Sequence, residues 1–149
     1  MPTRCSYGLI GRPLGHSFSP RYFSELFDRL GIDASYDRYE LQRIEELPEL
    51  LATHPSLRGL NVTLPYKREV LRYVDACSPE VEHLQAANVL CIERTPSGKL
   101  HITAHNTDVW GFYHSLVPLL GEERPHTWVF GTGGAASAVL YALEQLGIS

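Results

Sequence analysis

The 149 residues include 44% hydrophobic and 20% charged side chains, an ordinary globular balance for a chain long enough to bury one core. A net charge of -4 speaks against a nucleic-acid or anionic-membrane surface, and no apolar run is long enough to span a bilayer. Cys5, Cys77 and Cys91 are odd in number and widely spaced, so they read as reduced core thiols of a cytoplasmic protein; the scattered histidines give no metal site.

In chain order, Cys5 to Ile10 reads as a first strand, ended by the glycine- and proline-bearing loop Gly11-Arg12-Pro13-Leu14-Gly15. A helix is predicted from about Pro20 to Leu30, with Ser19 as N-cap, Phe23, Phe27 and Leu30 on one face, and Gly31 as its stop. A second strand covers Ala34 to Leu41. The helix after it, from about Ile44 to Thr53, has Glu45 and Glu46 in its first turn, where the dipole favours them, and tolerates Pro48 only in that turn. Leu57-Arg58-Gly59-Leu60 begins a third strand that runs into Asn61-Val62-Thr63-Leu64 and stops at Pro65. A short helix then bears Val70, Leu71 and Val74, and another starts at Ser78-Pro79-Glu80.

Val89 to Ile92 and Leu100 to Thr103 flank Thr95-Pro96-Ser97-Gly98, the composition of a hairpin turn. A helix from about Asp108, capped by Thr107, places Phe112, Leu116 and Leu120 on one face, and Pro118 is expected to kink or end it. The polar connector from Gly121 to Pro125 marks a boundary between residues 1–120 and 121–149. Beyond it, Thr127 to Phe130 reads as a buried strand, then a glycine turn, then a helix through Val139, Leu140, Leu143 and Leu146. The expected fold is α/β: a three-layer domain with a mixed, largely parallel sheet, followed by the first strand-helix unit of a Rossmann domain.

Four groups of residues carry chemistry. Gly131, Gly133 and Ala136 match G-x-G-x-x-A, in which the first glycine makes the tight turn, the second lets a pyrophosphate approach, and the small third residue lets helix and strand pack. Lys67 stands just past a strand end, where open sheets collect ligand groups, although a lone lysine there is usually a solvated surface charge. Ser17 and Ser19 are either loop and cap, or two hydroxyls at a helix start that hold a small anion such as a carboxylate. Asn88 opens the hairpin, and Asn106-Thr107-Asp108 opens a helix; a helix start accounts for Thr107 and says little about Asn106.

Gly11-x-Pro13-x-x-His16-Ser17-x-Ser19-Pro20, Asn61-Val62-Thr63-x-Pro65-x-Lys67, Asn88, Asn106-Thr107-Asp108-x-x-Gly111 and Gly131-x-Gly133-Gly134-Ala135 occur in one order, and together they resemble the shikimate dehydrogenase family over the whole chain. The resemblance implies a first domain that binds shikimate or 3-dehydroshikimate and a second that binds NADP, with NAD left open. It implies that Ser17 and Ser19 hold the substrate carboxylate, that Thr63, Asn88 and Asp108 hold ring hydroxyls, and that Lys67 with Asp108 is the catalytic pair. Gly131, Thr132, Gly133, Gly134 and Ala135 become the cofactor turn. Two departures weaken the assignment of Asn88: Gln85-Ala86-Ala87-Asn88-Val89 stands where the family usually has Gly-Ala-x-Asn-Thr, and Ala104 stands where a glycine is common.

Ketone reduction by a nicotinamide needs a proton donor at the developing alkoxide, a role the Lys67 ammonium suits, with Asp108 orienting it. The expected activity is reversible NADPH-dependent reduction of 3-dehydroshikimate in aromatic amino acid biosynthesis. Quinate or aminoshikimate as substrate, and a binding module without turnover, are the competing readings. Family members continue further, so these residues are expected to be a truncated piece, inactive alone, either monomer or homodimer. The tail from Thr127 to Ser149 is expected to be marginally ordered unless it packs on the first domain or on a second chain.

Overall fold

The computed structural model describes residues 4–148. Six extended segments meet in one sheet: β1 (Cys5–Gly11), β2 (Ala34–Glu40), β3 (Leu57–Val62), β4 (Ala76–Cys77), β5 (Val89–Arg94) and β6 (Leu100–His105). Their order is β2-β1-β3-β5-β6-β4. β1 pairs in parallel with β2 and β3, and β4 pairs in parallel with β6; β5 runs antiparallel to both neighbours, β3 and β6. The hairpin sets this exception. Gly98 takes φ +82 and returns its N–H to the Thr95 carbonyl at 2.8 Å, so β6 must fold back on β5.

The helices are α1 (Ser19–Leu30), α2 (Leu47–Thr53), α3 (Pro79–Leu84), α4 (Asp108–Leu120) and α5 (Gly134–Gln145), with 3-10 turns at Ile44–Glu46 and Glu69–Tyr73. Alternation along the strands sorts the side chains onto two faces. One face sends Ile10, Leu60, Val62, Leu90 and Ile92 into the main core, against Leu47, Leu50 and Leu51 of α2 and Val70 and Val81. The other carries Leu9, Tyr36 and Tyr7 under Phe23 and Phe27 of α1, with the Phe23 and Tyr36 rings stacked at 4.6 Å. Beside α1 this second face stays open over β3 and β5, as a groove of about 330 Å³ lined by Tyr7, Gly59, Asn61, Val89 and Cys91 among others.

Several expectations are corrected. Cys91 is exposed and Cys5 and Cys77 are half-buried, so they are free thiols but not core ones; alternation turns Cys91 away from its buried neighbours Leu90 and Ile92. Ser19 is the first residue of α1 and not its cap, because Phe18 holds the cap position with helical backbone. Leu30 is exposed, since the buried face of α1 ends at Phe27. Thr107 makes no side-chain cap, and α4 does not end at Pro118 but runs on to Leu120. The two-residue strand β4 is too short to show a pattern in the sequence.

The largest correction is the buried strand from Thr127 to Phe130. Those residues form no strand, and Trp128 and Phe130 are 84% and 92% exposed. A strand needs a neighbour to take its backbone bonds, and none of the six strands pairs with this segment. Helix α5 does form and packs on α3 and α4: Ala138 and Ala142 sit against Leu84 and Val109, with Phe112, Tyr113 and Tyr141 around them. Its small side chains allow that close approach.

Candidate active site

The predicted site residues gather at one edge of the sheet, where β1, β3 and β6 end and β5 begins. That placement is dictated by topology. Strands leaving the sheet at one edge bring their following loops together, however far apart they are in sequence.

Lys67 is held by its surroundings before its own head group is considered. The neighbouring Tyr66 is buried at 4% exposure and donates its hydroxyl to the Leu41 carbonyl at 2.7 Å. The Lys67 carbonyl accepts the Ala87 N–H at 2.7 Å. With the backbone pinned on both sides, the Lys67 ammonium donates to Asp108 Oδ2 at 2.7 Å, the two side chains being only 21% and 34% exposed. Such a pair is far from the freely solvated surface lysine that the sequence left open.

Asp108 is fixed from three directions. Asn88 Nδ2 donates to Asp108 Oδ1 at 2.9 Å and to Thr107 Oγ1 at 2.9 Å, while Asn88 Oδ1 accepts the Thr107 N–H at 2.9 Å. Asn106, 6% exposed, uses its amide twice: Oδ1 accepts the Asp108 N–H at 3.0 Å, and Nδ2 donates to the Ala86 carbonyl at 3.0 Å. Two asparagines therefore stitch the start of α4 to the start of β5. Asn106 is the residue whose role sequence reasoning missed; its motif was visible, but nothing local revealed that its amide crosses to Ala86. Thr107, predicted as a cap, instead helps to hold Asn88.

The second group lines a cleft of about 370 Å³ formed by Leu9, Pro13, Leu14, His16, Ser17, Ser19 and Thr63. Thr63 reaches this cleft because Gly11 leaves room for it: a side chain there would collide with the Thr63 methyl and stand 2.9 Å from the Leu64 carbonyl. Burial pushes the Tyr36 phenol well above its usual pKa, while the nearby Ser19 hydroxyl pulls the other way. Tyr36 donates in turn to Asn61 Oδ1 at 2.7 Å. Ser17, Ser19 and Thr63 thus share one cleft, and Lys67, Asn88 and Asp108 form one hydrogen-bonded cluster. Thr63 and Lys67 leave β3 on the same connection, which joins the two groups.

The glycine turn stands next to them. Gly131 takes φ +139, a conformation that other residues rarely adopt, and Gly133 precedes α5 with extended backbone and no side-chain cap. No side chain therefore covers the first N–H groups of α5, as a phosphate site there requires. A methyl group on Gly134 would lie 3.9 Å from Lys67 Cδ, so the turn is already against the lysine. Thr132 and Ala135 are exposed on the same turn.

The family model described as the shikimate dehydrogenase substrate binding domain matches residues 9–90, more than half of the chain. The chain belongs to that family. It is 34% identical over 144 residues to a shikimate dehydrogenase (NADP(+)) of Caldicellulosiruptor saccharolyticus, covering 94% of this chain and 50% of the relative. To the protein of the same name in Oleidesulfovibrio alaskensis it is 40% identical over 144 residues, covering 95% and 49%. The crystal structure of the Thermus thermophilus shikimate 5-dehydrogenase in complex with NADP(H) and shikimate superposes with a TM-score of 0.80 at 32% identity, over 97% of this chain and 53% of that one. The chain spans about half the length of the curated relatives it matches. Its mixed, mostly parallel α/β sheet is the one its relatives' family uses.

Proposed function

We propose that this chain supplies the substrate cleft and the acid–base pair of a shikimate dehydrogenase, acting on 3-dehydroshikimate and shikimate with NADP. The observation that carries this reading is the 2.7 Å contact between Lys67 Nζ and Asp108 Oδ2 beside a hydroxyl-lined cleft. In this reading residues 1–120 form the substrate unit, and residues 121–149 form the connector and the start of the dinucleotide unit.

Each residue has a role its chemistry suits. Ser17 and Ser19 donate to the substrate carboxylate, which is acceptor-only when ionised. Thr63, Asn88 and Asp108 face the ring hydroxyls, hydroxyls being able both to donate and to accept. Lys67 donates to the carbonyl oxygen, a bond that strengthens as negative charge develops there, and then gives up its proton. Asp108 holds the ammonium in place, and Asn88 and Asn106 hold Asp108. In the reverse direction the neutral amine takes the hydroxyl proton, so the pair serves both directions. Gly131, Thr132, Gly133, Gly134 and Ala135, with the open N-terminus of α5, would hold the pyrophosphate of NADP, which when bound supplies the hydride.

The test is NADPH oxidation by 3-dehydroshikimate in a chimera that joins these residues to the part of the Caldicellulosiruptor relative that they do not span. Turnover is expected, and Lys67→Ala should lower it by ~100- to 10,000-fold with a smaller effect on substrate binding. Near-normal turnover in that variant would remove Lys67 from the mechanism. Quinate run in parallel reports the competing substrate, which should be used poorly.

A further inference from the structure

Three helices enclose a recess of about 330 Å³ that shares no lining residue with the serine cleft. Trp110 and Tyr113, three apart on one face of α4, line it with Tyr141 and Gln145, four apart on α5. Glu80, in the first turn of α3, completes the wall. Asn106 also lines it, but both ends of that amide are already engaged. Glu80 is half-buried and is the one acid of the lining, with no lysine or arginine beside it among the described residues. No ion pair among those residues reaches its carboxylate. The one basic side chain in the lining, His114, is set against the Trp110 ring at 4.3 Å between centroids.

This lining narrows what the recess can take. An anion would meet the Glu80 carboxylate with no lysine or arginine to offset it. An apolar guest would strip that carboxylate of water and give nothing in return. A metal ion needs several hard donors, and no three His, Cys, Asp or Glu side chains gather to hold one among the described residues. An organic cation suits both halves of the wall, because aromatic faces attract positive charge and a carboxylate accepts hydrogen bonds from it. We propose that the recess binds a small guanidinium compound, its planar head among the rings of Trp110, Tyr113 and Tyr141 and hydrogen-bonded to Glu80. A guanidinium is weakly hydrated, stacks on aromatic rings and meets a carboxylate with two parallel N–H bonds, none of which an alkylammonium does as well. The Gln145 side-chain amide lines the recess too and offers a further acceptor. The volume is at the small end of ligand pockets, which favours a free small molecule. Nothing in this proposal depends on the dehydrogenase chemistry.

The test is a titration of the isotope-labelled chain with methylguanidinium chloride at constant ionic strength, followed by nuclear magnetic resonance. The chain has two tryptophans, so two indole N–H signals report. Trp128, 84% exposed and outside the recess, is the internal control. Trp110→Leu removes one signal and so assigns both. The Trp110 signal should move saturably, with an affinity in the roughly millimolar range open to so few atoms, while Trp128 stays put. Methylurea, which has the shape without the charge, should move neither. Glu80→Gln should weaken binding roughly tenfold or more, and Tyr113→Leu about two- to fivefold, with thermal unfolding confirming that each variant is folded. No saturable shift at Trp110, an equal response to methylurea, an equal movement of Trp128, or undiminished binding in folded Glu80→Gln overturns the site. Tetramethylammonium bound as tightly as methylguanidinium overturns the guanidinium assignment. A blocked Gly-Arg-Gly peptide bound more tightly overturns the small-molecule assignment in favour of an arginine from another protein.

Discussion

At the scale of single residues, the site is built from side chains that hold other side chains. Lys67 and Asp108 were paired in the sequence only through the resemblance of their motifs to the family; by position alone one is a lysine past a strand end and the other an aspartate at a helix start. Their 2.7 Å contact could not come from local pattern, since 41 residues separate them and only the sheet brings them together. The asparagines show the same limit. Asn88 was singled out and Asn106 was left without a role, yet Asn106 is the more deeply buried of the two and bonds across to Ala86. Asn106→Ala would leave the Ala86 carbonyl and the Asp108 N–H without their partner in a buried place. Urea unfolding should show a loss of about 1–3 kcal/mol, the penalty of stranded buried polar groups. An unchanged midpoint would mean that water takes over both bonds and that Asn106 is not what fixes Asp108.

At the scale of elements, patterns local to one segment were read well. The hairpin turn, the glycine stop of α1 and the placing of Pro48 in the first turn of α2 all follow from residues within a few positions of one another. Failures came where an element depends on a distant partner. Ser19 looks like a cap in sequence, but it is the first residue of α1 and lines a cleft shared with Thr63, which follows β3. Thr127 to Phe130 has the composition of a buried strand, but composition cannot supply the neighbour a ladder needs. Amide exchange separates the two kinds of segment. Leu60 and Leu90, paired across β3 and β5, should exchange only through global unfolding. The amides of Trp128, Val129 and Phe130 should show no comparable protection. Strong protection there would mean that this segment pairs after all, with another copy of the chain or another part of this one.

At the scale of the whole molecule, one sheet edge does the organising. The alternation of strand and helix announced an α/β fold with a mixed sheet, and the order β2-β1-β3-β5-β6-β4 adds what the sequence could not give: an antiparallel β5 set among parallel strands. This places the beginning of β5, with Asn88, at the edge where β1, β3 and β6 end, so four separate segments meet there. No helix among the described residues is long and apolar enough to cross a membrane. The proposed substrate cleft and acid–base pair depend on that edge alone, because Ser17, Ser19, Thr63, Lys67, Asn88 and Asp108 all precede the connector. Calorimetry with shikimate on this chain is therefore the most direct measurement of the account. Saturable binding is expected, weakened by about 1.5–3 kcal/mol for each lost bond to the carboxylate in Ser17→Ala with Ser19→Ala. A folded chain that does not bind shikimate, or whose binding ignores both serines, would contradict it.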